Sequence, residues 1–183
     1  MTDKKTDNSH LPEKAYLRIE SIKKIKKPIV NVLEAFAGDG LIWREVQKKT
    51  DKKINILKIE KKDGKKGVYL KGDNMKFISM FDFTNFDIID LDAYGSPYNQ
   101  LQVVFKKQFT GIVHCTFIQN LYGCLNKKML YQIGYKKEMI DKIPSLFNKN
   151  GFDKFKQYLA INGINKINSI SPEENKHYLW FKL

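Results

Sequence analysis

The stretch DIIDLDAYGSP, residues 87–97, decides how this sequence folds, because its apolar run ends in charged and turn-forming residues. Residues 85–92 (NFDIIDLD) predict a buried β-strand, the fourth along the chain. Side chains two residues apart in a strand point the same way, so Asp90 and Asp92 are expected on one side of the sheet. Carboxylates at the end of a buried strand are costly unless something binds them. The two aspartates and the nearby Tyr94 therefore indicate a binding site.

Strand-like and helix-like segments alternate along the rest of the chain. Apolar, β-branched runs predict strands at 28–36, 54–60, 68–73 and 111–120, and a closing hairpin at 164–170 and 176–183. Helices are predicted at 40–49, between 125 and 163, and from Ser96, with serine as N-cap and Pro97 in the first turn. The alternation predicts an α/β fold, a doubly wound, mostly parallel seven-stranded sheet with a C-terminal antiparallel hairpin. Residues 1–14 are predicted to be a flexible tail and residues 15–183 a single domain.

The chain is strongly basic: its 183 residues include 33 Lys and Arg against 20 Asp and Glu, a formal net charge of +13. This charge favours a nucleic-acid partner. Because Arg18 and Arg44 are the only arginines, the lysine bias of an AT-rich genome is an alternative explanation. No apolar run is long enough to span a bilayer, the N-terminus has no hydrophobic signal region, and two cysteines are too few for a disulfide framework or a metal site. We predict a cytoplasmic protein with no membrane association and no metal ion.

Two glycines, Gly38 and Gly40, stand in LEAFAGDGL (residues 33–41), where the first strand turns into a helix. Glycine lets a ligand approach bare backbone, and the helix start offers free N–H groups. The third glycine of the dinucleotide-binding pattern is missing, so a diphosphate site is disfavoured. A simple tight turn is the alternative interpretation.

Acidic residues end three successive strands: Glu34 the first, Glu60 the second and Asp73 the third. Glu60 follows the glycines by about 20 residues, the position at which an acid accepts hydrogen bonds from ribose hydroxyls. Asp73 is placed to meet an adenine amino group. Each acid alone is typical of a solvated strand end, but the three together predict a nucleoside-binding site.

These segments resemble the first three motifs of the Rossmann-like, class I S-adenosylmethionine-dependent methyltransferases. The resemblance implies S-adenosyl-L-methionine as the cofactor, with its methionine part over the glycine loop, its ribose on the second-strand acid and its adenine on the third-strand acid. It implies the following cofactor-binding residues: Glu34, Ala35, Phe36, Gly38, Asp39, Gly40, Glu60, Lys61, Asp73, Asn74 and Asp90.

Methyl transfer also explains the acids of the fourth strand. A sulfonium methyl group is already activated, so an enzyme mainly has to align the nucleophile. A carboxylate can orient an exocyclic amine and help to take up its proton, and an aromatic ring can hold the base by stacking. Asp92 and Tyr94 suit these roles. Asp90 lies deeper, and two like charges so close together should raise one apparent pKa.

The segment DLDAYGSP closely resembles the motif Asp-x-Asp-Pro-Phe/Tyr-Gly-Ser-Pro of the tRNA (guanine-N2) dimethyltransferase family, with Ala93 in place of the proline. The resemblance implies Asp92, Tyr94 and Asp90 as catalytic residues of an N-methyltransferase that acts on an exocyclic amine of a nucleic-acid base, with tRNA guanine as one candidate. The resemblance favours RNA over DNA as the partner and covers only about residues 30–120, so we expect that a partner chain could supply substrate binding.

Two other readings of the sequence remain open. One is a non-catalytic subunit that binds the cofactor or acts as a scaffold in a methyltransferase complex. The other is a methyltransferase for a small molecule or a protein. Asn120, Tyr122 and Gly123, after the fifth strand, are candidate substrate contacts.

Overall fold

The computed structural model describes residues 9–65, 67–119, 125–143 and 149–183. Within these residues the helices are α1 (Leu11–Ile22), α2 (Leu41–Lys48), α3 (Asn74–Met80), α4 (Tyr98–Lys106), α5 (Lys127–Gln132), α6 (Lys137–Lys142) and α7 (Gly151–Ile161). The strands are β1 (Ile29–Glu34), β2 (Lys53–Glu60), β3 (Leu70–Lys71), β4 (Ile88–Leu91), β5 (Ile112–Ile118), β6 (Asn168–Glu173) and β7 (Lys176–Lys182). None of these helices combines the length and the hydrophobicity that a membrane crossing needs.

The seven strands of the described residues form one sheet in the order β3-β2-β1-β4-β5-β7-β6. Strands β1 to β5 pair in parallel, and β7 runs antiparallel to both β5 and β6. The strand order reverses between β1 and β4, which is where ligands bind in doubly wound sheets. The predicted fold is therefore confirmed, including its C-terminal hairpin.

Hydrophobic side chains pack on both faces of the sheet, which explains why β4 is apolar without alternation. Ile89 and Leu91 point into the larger core, together with Leu101 of α4. Ile88 points the other way, into a second core that α1 and α2 cover, where it joins Trp43. The same alternation places the two aspartates on the α1 side of the sheet.

A row of polar side chains crosses the sheet near the carboxyl ends of its strands. The strand register aligns Lys58, Glu34, Asp90, His114 and Trp180 on β2, β1, β4, β5 and β7 respectively. The middle three of these side chains are buried. Buried polar groups need hydrogen-bond partners, so the row depends on the helices that cover it.

Helix α1 supplies most of these partners, although no helix was predicted there from the sequence. Arg18 donates from Nε to Asp90 Oδ2 and from a terminal nitrogen to Oδ1, both at 2.7 Å. Trp43 Nε1, from α2, also donates to Asp90 Oδ2 at 2.7 Å. The Ser21 hydroxyl lies 2.8 Å from His114 Nε2. A buried bidentate ion pair therefore fixes α1 against β4.

The predicted N-terminal tail is too long, because α1 begins at Leu11 and includes residues 11–14. Pro12 suits the first turn of a helix, where its missing N–H group is not required. Lys14 is buried in the same turn. The ion pair of Lys14 with Asp92 gives residues 11–14 a fixed position.

Two further predicted boundaries are displaced. Ser96 is not an N-cap, because helical bonding starts one residue later, with Leu101 N donating to the Pro97 carbonyl at 2.9 Å. Strand β3 pairs with β2 over only two residues, so Asp73 lies beyond it as the N-cap of α3. Its carboxylate accepts from Met75 N at 2.8 Å, which is the local bonding that favours aspartate at helix starts.

We expect Arg18→Met to lower the free energy of unfolding by about 3–5 kcal/mol, because it leaves the buried Asp90 carboxylate without its cation. Lys23→Met is the control, since Lys23 is 65% exposed in its ion pair with Glu20, where water screens the charges and little stability should be lost. Urea unfolding followed by circular dichroism measures both effects. Equal losses in the two variants would show that the buried pair does not fix α1.

Candidate active site

The loop between β1 and α2 brings bare backbone to the carboxyl edge of the sheet. Gly38 and Gly40 adopt φ angles of 52° and 64°, the left-handed region that glycine tolerates best. A Cβ atom at Gly40 would lie 2.9 Å from Lys58 Nζ, the end of a flexible side chain, so the φ angle and not a lack of space is what favours glycine there. The backbone path therefore favours glycine at both positions.

Glu60 ties this loop to the end of β2. Its Oε2 atom accepts from Gly38 N at 2.7 Å, and its Oε1 atom accepts from Lys62 N at 2.9 Å. Each carboxylate oxygen has a second lone pair, so Glu60 can still accept hydrogen bonds from a ligand. The structure thus brings together the glycine loop and the acid that the sequence assigned to a ribose.

Glu34, at the end of β1, is a buried acid without a cation of its own. Glu34 is 3% exposed, and its Oε2 atom has no hydrogen-bond partner among the described residues. Burial raises the pKa of Glu34 to about 8; repulsion from Asp90 adds to this, whereas Arg18 and Lys58 act against it. An open, buried acceptor with a raised pKa is characteristic of functional sites.

Asp90 has a different environment, although it is the neighbour of Glu34 in the register. It is 1% exposed, and both of its oxygens accept hydrogen bonds from Arg18 or Trp43. Its carboxylate is therefore occupied by the protein itself. This geometry supports a structural role for Asp90, and its role as a catalytic and cofactor-binding residue stays a prediction.

Asp92 is held from two sides but keeps a small exposed surface. Lys14 Nζ donates to its Oδ2 atom at 2.8 Å, and the Thr116 hydroxyl donates to Oδ1. Burial works against the charge of Asp92, but the nearby Lys14 and Arg18 outweigh it and lower the pKa of this carboxyl. With its side chain 13% exposed, Asp92 is an ionised acceptor at the edge of the core.

Tyr94 is 76% exposed on the loop that follows Asp92. Two backbone hydrogen bonds fix this loop: Ala93 N donates to Leu91 O at 2.7 Å, and Ile118 N donates to Gly95 O at 2.9 Å. The loop therefore projects an aromatic ring into solvent from an anchored base.

The remaining predicted cofactor residues lie around the same edge in several environments. Ala35 is buried, Phe36 packs against the larger core, and Lys61 is exposed. Asp39 pairs with Lys65 at 2.9 Å, and Asn74 accepts from Gln100 at 3.2 Å. Asp73 is the α3 N-cap described above, and its Oδ1 atom makes the capping hydrogen bond. Asn120, Tyr122 and Gly123 lie outside the described residues.

Sequence reasoning missed the four side chains that hold the aspartates of β4: Lys14, Arg18, Trp43 and Thr116. One signal was present, because Lys14 and Arg18 are four residues apart and so share a helix face. The segment LPEKAYLRIESI has Pro12 in the right place for a helix start. Nothing in the sequence indicates that this face meets β4.

Solved structures with a similar fold include several methyltransferases. Trm1 from Pyrococcus horikoshii, solved with S-adenosyl-L-methionine, matches with a TM-score of 0.55 at 16% identity over 94% of this chain and 54% of that chain. The CurJ carbon methyltransferase matches with a TM-score of 0.54 at 12% identity over 92% of this chain and 53% of that one. MnmC2 from Aquifex aeolicus matches with a TM-score of 0.50 at 15% identity over 90% of this chain and 56% of that one. This chain thus spans about half the length of each.

Sequence comparison adds nothing to these matches. No protein-family model matches the sequence, and no curated protein matches it significantly. At such low identities the structural likeness concerns the fold alone, and one of the matching proteins is a carbon methyltransferase, so the acceptor atom stays open. The chain has the Rossmann-like fold found in S-adenosylmethionine-dependent methyltransferases.

Proposed function

We propose that this protein is an S-adenosylmethionine-dependent N-methyltransferase that acts on an exocyclic amine of a nucleic-acid base, in RNA rather than DNA. The observation that carries the proposal is the hydrogen bond from Gly38 N to Glu60, which joins the glycine loop to the predicted ribose acid in a methyltransferase-like fold. A guanine in tRNA is the target that the DLDAYGSP motif favours.

The residues at the carboxyl edge fit the proposed cofactor, which supplies an activated methyl group when it is bound. Gly38 is partly exposed and adds no side chain to the loop, and Glu60 has lone pairs available for ribose hydroxyls. Glu34 has a buried carboxyl oxygen without a partner among the described residues, and a positively charged group beside it would be stabilised by its charge. Asp73, at the start of α3, is exposed and close in sequence to the end of β3, as an adenine contact requires.

Asp92 is proposed to orient the target amine. The lowered pKa of Asp92, to which Lys14 and Arg18 contribute against the effect of burial, keeps the carboxylate ionised near neutral pH. An ionised carboxylate is a strong acceptor for an N–H group but a weak base, so its main contribution is alignment. Asp90 supports this role indirectly, because its ion pair with Arg18 holds α1, and with it Lys14, in place.

The exposed ring of Tyr94 and the net charge of +13 support a nucleic-acid substrate. An aromatic ring on an anchored loop can stack on an unpaired base, and excess positive charge attracts the phosphate backbone whatever the sequence. A partner chain that supplies further RNA contacts is part of the proposal.

A second candidate is a non-catalytic, cofactor-binding subunit of a methyltransferase complex. The observation that favours it is the ion pair between Lys14 and Asp92, in which a cation of the protein already occupies the proposed catalytic carboxylate. The proline of the related motif is also replaced by Ala93. Activity of the isolated chain decides between the two candidates.

The direct test incubates the purified chain with a radiolabelled methyl donor and separate pools of tRNA, rRNA and DNA. We expect label in an RNA pool with the wild type and none with Asp92→Asn, which should bind the cofactor nearly as well because the amide keeps the carboxylate's shape. Asp141→Asn, at a 42% exposed side chain on α6, is the control and should retain activity. Cofactor binding without label in any pool would favour the subunit; equal loss of binding and activity in Asp92→Asn would make Asp92 structural.

We expect Glu60→Ala to weaken cofactor binding by about 1.5–3 kcal/mol, roughly 10- to 150-fold in Kd, because hydrogen bonds to a charged acceptor are lost. Isothermal titration calorimetry measures the change. Glu138→Ala, which removes an exposed acid from α6, should leave the affinity unaltered. An unaltered affinity in Glu60→Ala itself would exclude Glu60 as a cofactor ligand.

We expect Tyr94→Ala to lower kcat/KM for the RNA substrate by about 5- to 150-fold, since base stacking on an aromatic side chain is worth about 1–3 kcal/mol. Tyr94→Phe should retain most of the activity, and cofactor affinity should stay constant in both variants. Tyr16→Ala, at a 55% exposed tyrosine on α1, is the control. If Tyr94→Ala behaves like Tyr16→Ala, Tyr94 does not contact the base.

A further inference from the structure

Glu34 differs from the other buried acids near the polar row because one of its carboxyl oxygens has no partner among the described residues. Arg18 and Trp43 saturate Asp90, and Lys14 and Thr116 hold Asp92. The Oε2 atom of Glu34 is buried and has no hydrogen-bond partner in the described part of the chain. Leaving an ionised carboxylate in such a place would be costly, whereas a neutral carboxyl group is tolerated.

The charges around Glu34 lead to the same conclusion. On the α1 side, the cations Lys14 and Arg18 already face the two anions Asp90 and Asp92 at ion-pair distances. An ionised Glu34 would add a third anion to this layer.

In the part of the chain that the structure describes, the other elements around Glu34 form no ion pair with it. From β2, Lys58 is the neighbour of Glu34 in the register, but its Nζ atom reaches towards Gly40. From α2 the facing polar group is the neutral Trp43, and from β5 it is His114, whose pKa burial and Arg18 lower well below its usual value. An ionised Glu34 would therefore have no ion-pair partner among the described residues, and Arg18 and Lys58 attract it too weakly to offset its burial.

We infer that Glu34 is a neutral carboxyl group in the free protein and loses its proton when a cationic ligand binds beside it, at the carboxyl edge of the sheet. The inference rests on the proposed function, because the cation is the cofactor, whose sulfonium and ammonium groups outweigh its one carboxylate. The O–H bond of Glu34 breaks, its proton passes to the solvent, and the carboxylate left behind pairs with the ligand's charge. Cofactor binding is thereby coupled to the release of one proton.

The direction of the pH dependence follows from this coupling. Burial, with a smaller effect from Asp90, raises the pKa of Glu34 to about 8 in the free protein, and a bound cation lowers it. The free protein then holds a proton that the complex lacks. Affinity for the cofactor should rise by up to about tenfold per pH unit below neutrality and level off above about pH 8.

The test is calorimetric titration of the full chain with S-adenosyl-L-methionine between about pH 5.5 and 7, below the range near 7.7 in which an α-amino group titrates. Repeating each titration in buffers with different ionisation enthalpies gives the number of protons released. We expect roughly one proton per cofactor with the wild type. Glu34→Gln, which keeps the size of the side chain, should release none and should bind with an affinity that does not vary with pH.

Glu60→Gln is the matched control, because it changes another acid of the cleft and leaves Glu34 in place. It should bind more weakly than the wild type and still release the proton. Binding by the wild type without proton release would overturn the inference and leave the proposed function standing. Failure of the wild type to bind the cofactor at all would overturn the proposed function.

A second measurement needs no cofactor. Because the pKa of Glu34 is raised above its unfolded value, from 4.5 to about 8, the folded protein binds the extra proton between these values. The free energy of unfolding of the wild type, relative to Glu34→Gln, should therefore fall as the pH rises from about 5 to 8. A difference that is constant over this range would show that Glu34 is not neutral in the free protein, and would overturn the inference independently of cofactor binding.

Discussion

The ion pair between Arg18 and Asp90 is the constraint on which the rest of this site depends. Both side chains are almost fully buried, and the pair joins α1, β4 and, through Trp43, α2. Burial disfavours the charge of Arg18, but Asp90 and Asp92 outweigh it and raise the pKa of the guanidinium. Neither charge can be buried without the other, so the helix has to lie where its arginine meets the strand.

The geometry of this contact explains why two ion pairs form and not one. Lys14 and Arg18 are four residues apart, a rise of about 6 Å along a helix. Asp90 and Asp92 are two residues apart, about 6.6 Å along a strand. Two cations on one helix face therefore match two anions on one strand face, with α1 running against the direction of β4, and the contact that anchors the fold also sets the charge of Asp92.

The sequence was informative where a pattern reflects local backbone chemistry. The buried strands, the glycine loop and the acid at the end of β2 could all be predicted, because β-branched runs, paired glycines and strand-end acids each have a local cause. Helix α1 could not, since its stability comes from a contact with β4, some 70 residues away in the sequence, and not from its own composition. Asp73 and Ser96 show the opposite difficulty: a shift of one or two residues in the end of β3 or the start of α4 gives the same residue another role.

Ala93 illustrates how a departure from a related motif has to be judged by its backbone contacts. A proline there would stiffen the loop through its ring, but it would have no N–H group. In this protein Ala93 N donates to Leu91 O at 2.7 Å, a bond that closes a tight turn around Asp92 and that proline could not make. The bond from Ile118 N to Gly95 O anchors the far side of the same loop. Hydrogen bonds thus replace the ring as the source of rigidity, and the loop that carries Tyr94 is held in place although the proline is absent.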